Sequence, residues 1–239
     1  MKYLDLTLST PQENLACDEA LLDLCEGGND DEILRFWEPR EHFVVLGYSS
    51  KVSSEVNLRS CQANRIPVLR RFTGGGTVLQ GPGCLNYSTI LKIQSPGPLK
   101  GIVETNAFIL EGHRETLSQI IGSEIRIQGS CDLAVGGMKF SGNAQYRRRR
   151  YLLFHGTFLL HLEIDLMEKI LPVPAKQPPY RCNRSHQEFL ANLELPSPVI
   201  TEALKRRWNA TERFGEVPFQ RIKELVASRY SRDEWNFRS

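Results

Sequence analysis

The hydrophobic pattern along the chain changes period repeatedly, and each change marks an element. Residues Tyr3 to Leu8 alternate in polarity and predict a short strand. Ser9-Thr10-Pro11 then opens a helix, with Thr10 placed to cap it and Pro11 in the first turn, where no N–H is needed. Leu15, Leu21, Leu22 and Leu24 give that helix an apolar stripe. Glu32 to Trp37 and Phe43 to Leu46 read as strands around a turn at Pro39, and Gly47-Tyr48-Ser49-Ser50 ends the second. Glu55 to Asn64 predicts a helix. Ile66 to Phe72 returns to strand, Thr77 to Gln80 gives another, and Asn86 to Ile93 alternates again. Gln94-Ser95-Pro96-Gly97-Pro98 is a loop.

In the second half, Val103 to Ile121 has helical spacing, with Phe108, Ile109, Leu110, Leu117, Ile120 and Ile121 as its buried side. Four strands follow at Glu124 to Ile127, Asp132 to Val135, Met138 to Ser141 and Tyr151 to Leu162, with a turn at Gly136-Gly137. Leu166 to Leu171 is a short helix. Prolines 172, 174, 178, 179, 196 and 198 mark a connecting region, and helices are predicted at Ile200 to Trp208 and Phe219 to Tyr230. There is no internal repeat. Strands outnumber helices and helices flank them, which predicts an α+β fold with a mixed or antiparallel sheet, not a doubly wound parallel one. The expected organisation is a catalytic domain over residues 1–175 and a helical extension over 176–239 packed on it.

Composition narrows the function classes. The chain has 239 residues and a formal net charge of +2, which argues against a general nucleic-acid binder. No apolar run is long enough for a membrane helix, and Met1-Lys2-Tyr3 opens no charged-then-apolar leader. Cysteines at 17, 25, 61, 84, 131 and 182 include no C-x-x-C pair, so a zinc site is not expected. Scattered thiols without a leader fit a cytoplasmic protein.

Two stretches carry candidate chemistry. Arg70-Arg71-Phe72-Thr73-Gly74-Gly75-Gly76-Thr77 follows the apolar run Ile66-Pro67-Val68-Leu69. Three glycines let a ligand lie against backbone, and guanidinium groups offer forked donors to a carboxylate or phosphate. No Lys-Ser/Thr follows, as a P-loop requires, and no helix opens, as a dinucleotide fingerprint requires. The bland alternative is a turn between two strands with the arginines on a solvated edge. The second stretch, Cys131 to Gln145, holds Asp132, the Gly136-Gly137 turn, Lys139 and a small-residue loop. A hairpin there brings Asp132 and Lys139 together, giving either an Mg2+ ligand beside a charge-stabilising lysine or an ordinary surface salt bridge. His155, in Phe154-His155-Gly156-Thr157, reads by itself as a core histidine. The run Arg147 to Arg150 reads as a solvated loop, or as an attractor for ATP or an acidic carrier.

Together these pieces resemble the lipoate–protein ligase family, within the superfamily of biotin ligases and octanoyltransferases. Its motifs are matched by Arg70 to Gly76, Gly83-Cys84-Leu85-Asn86, Asp132-Leu133, Lys139-Phe140-Ser141-Gly142-Asn143-Ala144 and His155-Gly156-Thr157-Phe158-Leu159. Asn14 to Leu22 and Tyr230 to Asn236 look similar too. The resemblance implies a catalytic domain like that of biotin ligases and class II synthetases. It implies activation of lipoate or octanoate by ATP to an acyl-adenylate, then transfer to a lysine of a lipoyl carrier. That carrier is a 2-oxoacid dehydrogenase E2 domain, a glycine-cleavage H protein or a relative. Lys139 is implied as the catalytic residue and Asp132 as the Mg2+ ligand. Arg70, Arg71, Thr73, Gly74, Gly75, Gly76, Thr77, Asn86, Ser141, Gly142, Ala144, His155, Gly156 and Thr157 are implied as the substrate and adenylate pocket.

The chain departs from the family pattern in places. Gln80-Gly81-Pro82-Gly83 stands where many ligases have a His-Asp pair, and His-Gly-Pro-Gly is more typical of octanoyltransferases. Cys131 replaces the usual Asn before Asp132. The chain ends soon after Trp235, which implies a single-domain enzyme or a separate accessory chain. Tyr180 to Leu190 is unlike the usual ligase sequence. Three rivals follow: an ATP-independent transferase working through a thioester on Cys131, with Cys84 second; a non-catalytic lipoyl-binding protein; and a biotin ligase.

Overall fold

The computed structural model describes residues 1–94 and 96–238. Its strands are β1 (Lys2–Asp5), β2 (Ile33–Trp37), β3 (Phe43–Leu46), β4 (Val68–Arg70), β5 (Val78–Gln80), β6 (Cys84–Lys92), β7 (Ile125–Gln128), β8 (Asp132–Val135), β9 (Met138–Arg147), β10 (Tyr151–Leu159) and β11 (Glu212–Arg213). Its helices are α1 (Pro11–Glu26), α2 (Val52–Glu55), α3 (Leu58–Ala63), α4 (Ile102–Ile121), α5 (Ile164–Ile170), α6 (His186–Phe189), α7 (Ser197–Arg207), α8 (Phe219–Leu225) and α9 (Asp233–Asn236). A 3-10 turn covers Pro179–Arg181, and α8 runs on through a π turn at Val226–Tyr230.

Eight strands form one sheet in the order β11-β1-β2-β6-β10-β9-β8-β7. Strand β1 is parallel to both neighbours, and the pairs from β2 onward are antiparallel. A small second sheet, β4-β3-β5, pairs β3 parallel to β4 and antiparallel to β5. The fold is therefore α+β with a mixed sheet flanked by helices. On one face, α1 and α8 bury Leu21, Leu22, Ile222 and Leu225 against Ile33, Ile90 and Leu153. On the other, α4 and α7 bury Ile109, Leu117, Ile200 and Leu204 against Phe36, Leu152 and Phe154. A third cluster packs the small sheet onto α3, α5 and α6. Among the described residues, no helix is long and apolar enough to cross a membrane.

Several local expectations hold for their stated reasons. Thr10 caps α1, and Glu13 reaches back to the Thr10 N–H, completing a capping box with Pro11 in the first turn. Gly136 and Gly137 turn with φ of 56° and 79°. The differences are equally physical. Strand β1 ends at Asp5, short of Leu8, because the Leu8 N–H is taken by Asn14 Oδ1 as the chain bends into α1. The helix expected over Glu55 to Asn64 breaks into α2 and α3. Val56 extends at φ −138° and is buried under the small sheet, and Asn57 caps α3 through the Ser60 N–H. Phe108 is 38% exposed, off the stripe made by Thr105, Ile109, Gly112, His113 and Leu117. The small residues after Lys139 form no loop; they continue β9 to Arg147, paired with β10. In the loop expected over Gln94 to Pro98, Ser95 lies outside the described residues, as does Ser239.

Residues beyond 176 are tied to the rest at several points. Strand β11 pairs with β1, α7 packs on α4, α8 on α1, and α9 on β4.

Beneath α1 lies a fully buried ion pair, Arg35 to Asp18 Oδ1 at 2.6 Å. Arg35 also donates to the carbonyls of Leu6 and Asn14 and to Asn14 Oδ1. Removing one partner of such a pair strands a charge. Asp18→Ala is expected to cost about 3–5 kcal/mol, measured by urea unfolding, with the circular dichroism of the native baseline unchanged.

Candidate functional site

The triglycine loop leaves β4 and reaches back over the large sheet. Arg71 is buried and turns inward to brace it. Its Nε donates to Thr73 Oγ1 and the Gly74 carbonyl, and its Nη2 donates to the carbonyls of Gly74 and Gly76 at 2.7 and 2.8 Å. Two carbonyl oxygens that would repel an anion are thereby occupied by a cation. Arg70 is 1% exposed. It donates to the carbonyls of Gly47, Tyr48, Ser50, Trp235 and Arg238. The chain itself thus occupies both guanidinium forks, which the sequence offered as free anion receptors. Gly74, Gly75 and Gly76 lie at the surface, and Thr77 Oγ1 donates to Glu55 at 2.6 Å.

Next to this loop, a partly open cavity of about 40 Å³ is lined by Arg71, Thr73, Asn86, His155 and Gly156 of the expected set. Leu15, Asp18, Trp37, Phe72, Tyr87 and Leu153 complete the wall. His155 Nε2 lies 2.7 Å from Thr73 Oγ1. Burial, with Arg71 nearby, pushes its pKa down to about 3; it is therefore neutral near pH 7. Asn86 Nδ2 donates to Gln80, Gln80 Nε2 to Thr157, and Thr157 Oγ1 to Asn86, closing a ring. Gln80 is thus a structural member of the site's floor.

Lys139 and Asp132 meet through an irregularity. Asp132 is paired with Gly142 and Leu133 with Ser141, but Ala134 is paired with Lys139, so Phe140 is an extra residue. A bulge of one residue moves every later side chain to the other face. It sends Phe140 into the core and brings Lys139 onto the side of Asp132. Nζ lies 2.8 Å from Asp132 Oδ1, and the side chains are 25% and 12% exposed. A Cβ at Gly142 would sit 2.7 Å from Nζ, so any other residue there would shift the end of the Lys139 side chain. Tyr180 donates to Asp132 Oδ2 at 2.8 Å.

Asn143 joins the two halves. Its Oδ1 accepts from Tyr87 at 2.6 Å, and its Nδ2 donates to the Cys131 carbonyl. Ser141 is buried, with Oγ 3.5 Å from the same Oδ1. A Cβ at Gly75 would stand 3.6 Å from the Ala144 Cβ, so the triglycine loop closes onto β9. The Cys131 thiol donates to the Asn143 carbonyl, and burial, then Asp132, pushes its pKa up, against the pull of Lys139 and Arg71. Cys84 is buried in the core, with its pKa raised to about 12. Arg147 ends β9 and donates to Thr105 and Leu99, Arg148 pairs with Asp23, and Arg150 pairs with Asp30.

Residues 10–209 match the family model for the lipoyl protein ligase A/B catalytic domain. The chain belongs to this family. It is 28% identical to lipoate-protein ligase A subunit 1 of Thermoplasma acidophilum, across 97% of this chain and 95% of that one. It is 27% identical to the octanoyltransferase LipM of Geobacillus kaustophilus, across 99% and 98%. Its fold superposes on a lipoate-protein ligase A bound with ATP at TM-score 0.84 and 26% identity, covering 99% of each chain. A T. acidophilum putative lipoate protein ligase with bound lipoic acid gives TM-score 0.83 at 26% identity, covering 99% and 98%. A bi-partite lipoate protein ligase from the same organism, solved in work that also covers its E2 lipoyl domain, gives 0.82 at 27%, covering 99% and 96%. Lipoyl ligases and transferases are thus both relatives, and the chain is an enzyme-family member of that combined class.

Tyr87, Asn143 and Tyr180 were absent from the expected site. Asn143 sat within the motif, whereas Tyr87 and Tyr180 gave no signal beyond their neighbours.

The close contacts and buried imidazoles have measurable effects on stability. Gly156 faces Asn143 so closely that a Cβ would stand 1.8 Å from its Oδ1; Gly156→Ala is expected to cost about 1–3 kcal/mol, read from the urea midpoint. His113 is also buried, and burial followed by Arg207 lowers its pKa to about 3. From pH 6.5 down to about 3 the unfolded chain therefore binds protons that the folded chain refuses. Stability is full above that window and falls as pH drops through it. Urea titrations at pH 7 and 5 should show the loss, and His113→Gln should make it shallower.

Proposed function

We propose that this chain is an ATP-dependent lipoate–protein ligase. In the first step a lipoate or octanoate carboxylate oxygen attacks the α-phosphorus of ATP. The bond from that phosphorus to the bridging oxygen breaks, and pyrophosphate leaves. In the second step the amine of a carrier lysine attacks the acyl carbonyl. The C–N bond forms, the C–O bond to AMP breaks, and the amine proton passes to solvent.

The observation that carries this reading is the lysine–acid pair. Lys139 Nζ is held by Asp132 beside Gly142, two residues along β9 from Ala144, where the triglycine loop closes onto the strand. An ammonium there serves both steps, donating to the acyl carbonyl oxygen and an α-phosphate oxygen as charge grows on them. Arg71 keeps the carbonyls of Gly74 and Gly76 turned away from an anion. Neutral His155, with Thr73, Asn86, Gly156 and Thr157, forms the polar end of the acyl and adenylate pocket, and Gly142 and Ala144 its β9 side; Ser141, paired with Phe158, points to the opposite face of the sheet and does not line it. Arg70 holds the loop's base, and Thr77 anchors its far end to Glu55.

Mg2+ would be held by Asp132, and would share a carboxylate whose oxygens also meet Lys139 and Tyr180. Among the described residues no three His, Cys, Asp or Glu side chains form a metal cage. Magnesium held largely by nucleotide phosphates needs one or two carboxylates, and Asp132 is the acid at the site. When bound, the ion would neutralise phosphate charge. The carrier is taken to be an E2-type lipoyl domain, and a second chain an accessory partner, on the pattern of the bi-partite T. acidophilum system. The proposed location is the cytoplasm.

One observation favours a second reading: Cys131 lies in the site, within the fields of Lys139 and Arg71. A transferase would pass the acyl group through a thioester on this sulfur. Against it, the thiol is hydrogen-bonded and its pKa is raised, where a nucleophile needs it lowered.

The deciding experiment is mass spectrometry of a lipoyl domain incubated with enzyme, ATP, Mg2+ and lipoate. A gain of one lipoyl group is expected, reduced by about 100-fold or more in rate by Lys139→Ala and retained by Cys131→Ala. ATP-independent transfer that Cys131→Ala abolishes would establish the thioester route instead.

A further inference from the structure

Residues 180–191 wrap the hairpin that carries Asp132 and Lys139. Arg184 donates to the Gly137 carbonyl at the hairpin tip, at 3.1 Å. The Ala191 N–H donates to the Lys139 carbonyl at 2.9 Å, and Leu190 forms a parallel bridge with Lys139. Tyr180 Oη donates to Asp132 Oδ2 at 2.8 Å, opposite the oxygen that holds Lys139. The segment is itself stiffened. Arg181 and Arg184 both lie over the Phe189 ring, at 4.7 and 5.2 Å, and Tyr180 packs on that ring at 5.1 Å. Three separate contacts thus fix the tip, the backbone and the acid of one hairpin from one segment.

We propose that Tyr180 is a positioning residue for this site, and that residues 180–191 form the brace through which it acts. A carboxylate held at one oxygen by a lysine remains free to rotate about its Cβ–Cγ bond. A second hydrogen bond, from a phenol that is anchored elsewhere, removes that freedom. It fixes the direction in which Lys139 presents its ammonium, and positioned donors outperform mobile ones when charge develops. The proposal rests on the ligase reading for its kinetic consequence, but its geometric content stands apart from it.

The test is Tyr180→Phe, which keeps the ring against Phe189 and deletes the hydroxyl. With wild-type enzyme, ATP, Mg2+ and lipoate, pyrophosphate release gives kcat and KM. The variant should lose about tenfold in kcat with KM for lipoate and ATP within about twofold. In parallel, both proteins are labelled briefly with an acetylating succinimidyl ester without substrates, and each lysine is quantified by mass spectrometry. Lys139 should label several-fold faster in the variant while the other lysines are unchanged. Unaltered Lys139 labelling overturns the proposal, as does a rise shared by all lysines, which marks general loosening. Wild-type protein that releases no pyrophosphate defeats the ligase reading alone, because the labelling still decides the brace.

Discussion

A guanidinium group taken out of water needs partners for its donors, and three buried arginines place that demand on this fold; of their nitrogens, only Arg35 Nε is buried without a partner among the described residues. Arg35, Arg70 and Arg71 are 0%, 1% and 8% exposed. Their donors reach carbonyls on α1, the turn between β1 and α1, the loop after β3, the triglycine loop and the residues around α9. These are segments that sheet pairing leaves unconnected. The arginines therefore act as joints between elements; among the described residues Arg35 is in direct contact with a carboxylate, and Glu55 acts on Arg70 and Arg71 from farther off. The site is built on those joints: Arg71 shapes the loop, Arg70 fixes its base, and Arg35 holds α1 over the sheet.

Much of this was legible in the residues. Thr10 and Pro11 announced α1, Gly136-Gly137 announced the hairpin, and the ordered motifs announced the family. What was not legible has a common cause. The hairpin reading expected Lys139 beside Asp132, but a register shift leaves no trace in composition, so Phe140 as the extra residue that puts the two on one face had to come from the ladder itself. The two arginines were chemically correct as fork donors, but a sequence does not say whether a fork faces a ligand or the protein's own carbonyls. Tyr180 was invisible because its hydroxyl acts across 48 residues, through a proline-bearing connection with no periodicity. Gln80 looked like a gap in a motif and is instead one corner of a closed amide–hydroxyl ring.

The ligase and transferase readings differ in what they ask of the same few ångströms. One needs a fixed cation where oxygen charge develops; the other needs a thiolate. Burial acts against the second at both candidate sulfurs, Cys131 and Cys84. It does not act against the first, because Asp132 compensates Lys139 and Gly142 makes room for it.

Arg70 also has a consequence for synthesis. Its Nε and Nη2 donate to carbonyls of Trp235 and Arg238, its N–H is bound by Asn236, and its own carbonyl is met by Trp235 Nε1. Those partners are made about 165 residues later on the ribosome. Until they emerge, Arg70 Nη1 has the carbonyls of Gly47, Tyr48 and Ser50, but its Nε, Nη2, N–H and carbonyl lack these partners. Residues 235–238 thus supply four of the hydrogen bonds at Arg70, and the base of the triglycine loop is completed from a part of the chain far from it in sequence.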